Sequence, residues 1–118
     1  MRHQKKKVTL DRKSASRNAL LANLAESFIL YEKIITTKAK AKALKPFTEK
    51  LVTIAKKNTL AGRRELIKRL YTANSVKKLM EVLGPRYAEK KGGYTRLILV
   101  SNTRTGDGSE KAILEFVK

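Results

Sequence analysis

The chain of 118 residues contains no cysteine. That excludes disulfides and any thiolate-bound metal, and it suits a reducing compartment. No stretch approaches the roughly 18 consecutive apolar residues of a membrane span. The opening MRHQKKK lacks the apolar core of a secretory signal. Histidine occurs once, as His3. Metal sites want clusters of His, Cys or carboxylate, and the sequence has none, so neither metal nor cofactor is expected. Acids are scarce: 10 Asp or Glu against 28 Lys or Arg. They are scattered, most within four residues of a cation, which is the pattern of helix-surface pairing. No acid–base pair converges, so neither an enzyme nor a small-molecule substrate is expected.

What the chain has in excess is positive charge, +18 in all. A compact body with that charge repels itself and calls for a polyanionic partner. Nucleic acid is the densest one, with a charge per ~1.7 Å of duplex axis. A hydrophobic fraction of 42% still provides for a core, and the length suits one domain.

Residues 1–13 have no sustained apolar period and carry Arg2, His3, Lys5, Lys6, Lys7, Arg12 and Lys13. They read as a basic RNA-binding arm, disordered or extended until bound. Residues 14–118 read as one globular domain. Ser14 or Ser16 is placed to cap a first helix to about Glu32, with Leu20, Leu24, Phe28 and Tyr31 along one face. Ile34-Ile35-Thr36-Thr37 is a β-branched run and reads as a short strand. Thr37 then caps a second helix to about Lys57, with Ala43, Leu44, Phe47, Leu51, Ile54 and Ala55 inward. Pro46 inside it predicts a kink or a later start. Thr59 caps a third helix, with Leu60, Leu66, Ile67 and Leu70 inward. Asn74 or Ser75 caps a fourth, with Val76, Leu79, Met80 and Leu83 inward, and Gly84-Pro85 closes it. Tyr94–Val100 and Lys111–Val117 alternate as strands, joined by a loop containing Gly106-Asp107-Gly108, which suggests an antiparallel hairpin.

The cations gather in four places: Arg2 to Arg17, Lys38 to Lys45, Arg63 to Arg69, and Arg86 to Arg96. Lys38, Lys40, Lys42 and Lys45 crowd a helix start, where the macrodipole disfavours them. An approaching anion would explain that placement. Arg63-Arg64 repeats it. His3, inside the arm, reads as a phosphate or base contact. Tyr87 and Tyr94 flank Lys90 and Lys91, and either stack on a base or sugar or belong to the core.

Several segments carry a family likeness. They are Met1-Arg2-His3, Leu10 with Arg12 and Arg17, and Thr36-Thr37-Lys38-Ala39-Lys40. Gly84-Pro85-Arg86-Tyr87, Gly92-Gly93-Tyr94-Thr95-Arg96 and Arg104-Thr105-Gly106-Asp107 complete the set. In this order and spacing the chain resembles, over essentially its full length, the family of the seventeenth protein of the bacterial large ribosomal subunit. The resemblance implies an α+β fold, a two-layer α/β domain with about four helices packed on a small three-stranded mixed sheet, one strand lying between the first two helices. It implies a structural constituent of the large subunit in the bacterial cytoplasm. That constituent would bind large-subunit ribosomal RNA near the peptide exit tunnel, with neighbouring ribosomal proteins in contact. On matching positions it makes Arg2, His3, Lys5, Arg12, Arg17, Lys38, Lys40, Arg86, Arg96 and Arg104 RNA contacts. Pro46 and Lys111 depart from the family's commoner pattern, and Lys111 implies a more exposed strand edge.

Other readings of the charge are a DNA-binding protein and a membrane-surface binder, the latter because the second helix is basic and amphipathic. Competition between ribosomal RNA and duplex DNA separates the first, and vesicle co-sedimentation the second.

Overall fold

The computed structural model describes Leu10 and residues 12–117. Most of the expected basic arm, including Arg2, His3, Lys5, Lys6 and Lys7, lies outside the described residues. The elements are α1 (Ser14–Tyr31), β1 (Lys33–Thr37), α2 (Lys38–Lys56), α3 (Leu60–Arg69) and α4 (Ala73–Lys78). A π-helical turn (Leu79–Leu83) and a last turn, α5 (Gly84–Arg86), continue α4. Strands β2 (Thr95–Thr103) and β3 (Glu110–Phe116) complete the fold. The strand order is β1-β3-β2. Both pairings are antiparallel, so the sheet is not mixed as expected. β3 returns between the other two, as the partner of β2 in a hairpin and of β1 across the core.

β1 sits between the first two helices, where four β-branched residues favour extended backbone. α1 ends on Glu32 in the left-handed region, φ 62°. Thr37 caps α2, its hydroxyl accepting from the Lys40 N–H at 3.4 Å. Thr59 does the same for α3, accepting from Gly62 at 3.0 Å. α1 departs from expectation. Its N-cap is Lys13, and no serine side chain caps it. α4 starts after Thr72 without a side-chain cap. Ser75 instead donates to the Thr72 carbonyl at 3.0 Å.

α2 runs unbroken through Pro46, starting at Lys38 as Thr37 dictates. Pro46 is exposed. The carbonyl four residues back, at Lys42, loses its helical donor on the solvent side, where water can replace it. Lys111 is half-buried on the central strand, opposite Thr37, and not at a sheet edge.

The core is formed by Phe28 and Ile29 from α1, Leu44, Leu51, Val52 and Ala55 from α2, Leu79 and Leu83 from the π turn, and Leu114 and Phe116 from β3. The buried face of α1 runs through Ala22, Ala25, Phe28 and Ile29, whereas Tyr31 is 77% exposed. In α3 only Leu66 and the following Leu70 are buried, while Leu60 and Ile67 face solvent. At 100° per residue Leu60 and Ile67 share a neighbouring strip of the helix and not the packed one.

Gly84 does not stop the helix by adopting the left-handed region. Its φ of −55° is ordinary helix. A Cβ there would lie 3.0 Å from the Ala55 carbonyl oxygen and 3.1 Å from that of Leu79. Gly84 therefore lets the π turn approach the backbone of α2, and Pro85 follows it in the last turn, α5.

Candidate nucleic-acid interface

α2 organises the charge. Its 19 residues span about 28 Å at ~1.5 Å per residue, and basic groups gather at both ends. At its start, Lys38 pairs with Glu110 at 3.2 Å. A cleft of about 500 Å³ opens there, lined by Thr37, Lys38, Ala39, Lys42, Ser109 and Glu110. Lys40, Lys42 and Lys45 have no acidic partner among the described residues. A second cleft, of about 330 Å³, is lined by Ser14, Arg17, Asn18 and Leu21 of α1 and by Lys42, Ala43 and Pro46 of α2. The structure thus places the root of the arm, with exposed Arg12 and Lys13, beside the start of α2. Two clusters far apart in sequence become one surface.

Arg17 is not a free surface cation. It is 8% exposed, and its guanidinium reaches the Arg12 carbonyl at 3.5 Å. It fixes the arm root against the domain. Arg104 closes the β2–β3 loop. Its guanidinium donates to the Asp107 carboxylate, and its backbone N–H donates to the Ser109 carbonyl at 2.8 Å. The Arg104 contact holds the Asp107 carboxyl far below its usual range. Arg104 stays exposed, but it acts first as a loop staple.

The other end of α2 meets α3 and the connector after α5. Gly62 packs against the Ile54 carbonyl, 3.2 Å from where a Cβ would stand, which brings exposed Arg63 and Arg64 to this end. Lys56 is turned inward. Its ammonium donates to the Tyr94 hydroxyl at 2.8 Å and to the Lys90 carbonyl, and lies 5.0 Å from the Tyr94 ring centroid. That contact holds the connector so that Lys90 and Lys91 are displayed outward, both exposed and without an acidic partner among the described residues.

Arg86 and Arg96 are partly committed. Arg86 binds Glu32, which Lys78 also approaches at 3.5 Å. The Arg86 hydrogen bond lowers the Glu32 pKa and outweighs partial burial, which would raise it. Arg96 pairs with Glu115 across the hairpin.

Tyr87 and Tyr94 are core residues, 3% and 2% exposed. Their rings lie 5.3 Å apart, and Tyr87 is 6.2 Å from Phe116, which stacks on Phe28 at 4.3 Å. The Tyr87 hydroxyl donates to the Val117 carbonyl. With their faces covered they cannot stack on a base, so of the two readings left open the core role is the one the packing supports. They bolt the connector to the hairpin.

Sequence reading missed what the acids do. Glu49, half-buried on α2, accepts from the backbone N–H groups of Tyr94 (3.1 Å) and Thr95 (3.0 Å) and from the Thr95 hydroxyl (2.8 Å). Glu26 accepts from the Tyr71 N–H at 2.7 Å. Both carboxylates clamp backbone 45 residues away. Their nearest cations in sequence suggest surface pairing, and nothing local signals otherwise. Consequently many acids are used internally, while the cations at the two ends of α2 stay open.

Among the described residues no group of His, Cys, Asp or Glu could hold a metal ion. No described helix is long and apolar enough to cross a membrane.

Residues 20–117 match the family described as Ribosomal protein L17. The chain is 46% identical over 118 residues, all of both chains, to the large ribosomal subunit protein bL17 of Hydrogenobaculum sp.. It is 48% identical over 118 residues to the bL17 of Sulfurihydrogenibium sp., covering all of this chain and 98% of that one. It is 47% identical over 117 residues to the bL17 of Solibacter usitatus, covering 99% of this chain and 77% of the relative. A match of this extent, on a chain with the expected two-layer fold, leads to one conclusion: the chain belongs to the ribosomal protein L17 family.

Proposed function

We propose that the chain is a structural constituent of the large ribosomal subunit that binds and stabilises folded large-subunit ribosomal RNA in the bacterial cytoplasm. It is a component of the translation machinery and not an enzyme. The observation that carries this reading is the placement of open cations at both ends of α2. Lys40, Lys42 and the arm root Arg12 and Lys13 form one end, and Arg63, Arg64, Lys90 and Lys91 the other. Two basic surfaces about 28 Å apart suit a folded RNA that presents phosphates on more than one side. A single-face DNA binder needs only one.

In this reading residues 14–118 are one preformed domain, and residues 1–13 are an arm that adds Arg2, His3, Lys5, Lys6 and Lys7. Phosphates are neutralised and counterions released. Arg86, Arg96 and Arg104 contribute through the face of the guanidinium left free by Glu32, Glu115 and Asp107. Arg17 and Lys38 act chiefly by holding the arm root and the helix start. Placement near the peptide exit tunnel, among neighbouring large-subunit proteins, belongs to the same proposal. The membrane-surface reading loses its basis, because the apolar face of α2 is spent on the core.

The test is sucrose-gradient sedimentation of tagged protein from cells, with competition between ribosomal RNA and duplex DNA at one fixed salt concentration. Travel with the large subunit and preference for RNA are expected. Sedimentation away from it, or preference for DNA, would overturn the proposal.

A further inference from the structure

The helices pack on one side of the sheet, through Ala112, Leu114 and Phe116 of the central strand. β2 is an edge strand. The Val117 N–H donates to the Tyr94 carbonyl at 2.9 Å, which sets the phase of the β2–β3 ladder. In an antiparallel pair, directly opposed residues alternate between bonded and non-bonded. The Tyr94 carbonyl and the backbone groups of Arg96 and Ile98 therefore point toward β3, and the backbone groups of Thr95, Leu97 and Leu99 face away from it. The Thr95 N–H is taken by Glu49 at 3.0 Å. The outward N–H and C=O groups of Leu97 and Leu99 have no partner among the described residues.

Side-chain exposure marks the same place. Ile98 and Leu99 point to opposite faces of the sheet, yet they are 41% and 57% exposed. An edge strand covered on one face would bury one of them. On the outer face Ile98 lies opposite Ile113, and Ile113 opposite Ile35, so an isoleucine row crosses all three strands. Strands apolar on both faces are typical of sheets that are covered on both.

We propose that an extended segment of another protein adds to the free edge of β2 as a fourth strand. The proposal rests on assembly into the large subunit. Such a segment would bond to Leu97 and Leu99 and set alternate apolar side chains against Ile98 on one face and Leu99 on the other. Charge argues for protein over RNA here. The only charged residue of β2 is Arg96, and it is paired with Glu115. Arg104, just beyond the strand, is paired with Asp107. This is a nearly neutral strip on a chain of +18, without an exposed ring for a base to stack on. Charge also argues against a second copy, since edge pairing would align two strongly cationic bodies. The register shift between Leu99 and Thr103 limits regular pairing to the first half of the strand, so the added strand is short.

The test uses large subunits reconstituted with the full chain carrying Leu99→p-benzoylphenylalanine, a bulky group placed where the side chain already faces solvent. Photolysis should join position 99 to another protein. In parallel, the Leu97 and Leu99 amides of the unsubstituted chain should exchange about tenfold or more slowly in the particle than in the free protein. A crosslink only to RNA, only to a second copy, or to nothing, in particles shown to contain the chain, would overturn the added strand and leave ribosomal assembly standing. A protein crosslink without slowed exchange would mean contact through the face, and would also overturn it. Absence of the chain from the particle would overturn both proposals.

Discussion

One oxygen of Glu49 accepts both the backbone N–H and the side-chain hydroxyl of Thr95, at 3.0 and 2.8 Å, while its other oxygen takes the Tyr94 N–H at 3.1 Å. The carboxylate on α2 thereby starts the hairpin and closes the end of a basic connector. It also occupies the first outward N–H of β2, so the free edge begins at Leu97.

Glu49→Ala leaves three donors without an acceptor, all of them on the buried residues Tyr94 and Thr95. Unmet buried donors cost about 1–3 kcal/mol each when nothing replaces the acceptor. With water reaching part of the site, a net loss of about 2 kcal/mol is expected in urea denaturation. An unchanged midpoint would show that the clamp is ornamental.

Gly84→Ala should destabilise even though alanine favours helix by about 1 kcal/mol. The added methyl meets two carbonyl oxygens at 3.0 and 3.1 Å, and neither is a flexible side chain. Overpacking of this kind costs about 1–3 kcal/mol. A lower melting temperature for the variant is the expected result, and a higher one would mean that the π turn relaxes away from α2.

Thr48→Val should stabilise. The Thr48 side chain is fully buried and its hydroxyl has no hydrogen-bond partner. Replacing it by a methyl of similar size removes a desolvation penalty of about 1 kcal/mol. Denaturant titration of the two proteins measures the difference directly.

Acid should weaken the Glu32 contact in a definite direction. Arg86 holds the Glu32 carboxyl below its usual range, so folding depresses this pKa. Its contribution is complete above the unfolded-state value of about 4.3 and is lost as pH falls through the lower folded-state value. Stability measured from pH 6 down to pH 3 should fall less steeply in Glu32→Gln than in the parent. Equal slopes would assign the acid sensitivity to other carboxylates.

Much of the fold was legible because local chemistry and packing agreed. The β-branched run at Ile34–Thr37, the Thr37 and Thr59 caps, and the alternation of Ala112, Leu114 and Phe116 all read correctly from neighbours in sequence. What failed depended on distant partners. Gly84-Pro85 looks like a stop, and only the approach of α2 shows that Gly84 is there to make room. α1 is leucine-rich around much of its circumference, so its buried face could not be phased from spacing. Tyr87 and Tyr94 sit among lysines in sequence but against Phe116 in space. The cation clusters were visible as four segments. Their merging into two surfaces at the ends of α2 required the packing of α1 and α3 on that helix.

The central claim is that open cations at the two ends of α2, with the arm, neutralise RNA phosphates. Its most direct test is the affinity of the purified chain for large-subunit ribosomal RNA across a fourfold rise in salt. If about ten phosphates are engaged, affinity should drop by ~10³ or more. Replacing Lys40 and Lys42 with Gln should make the log–log slope shallower by about two. A nearly flat response, or a slope untouched by those replacements, would contradict the account.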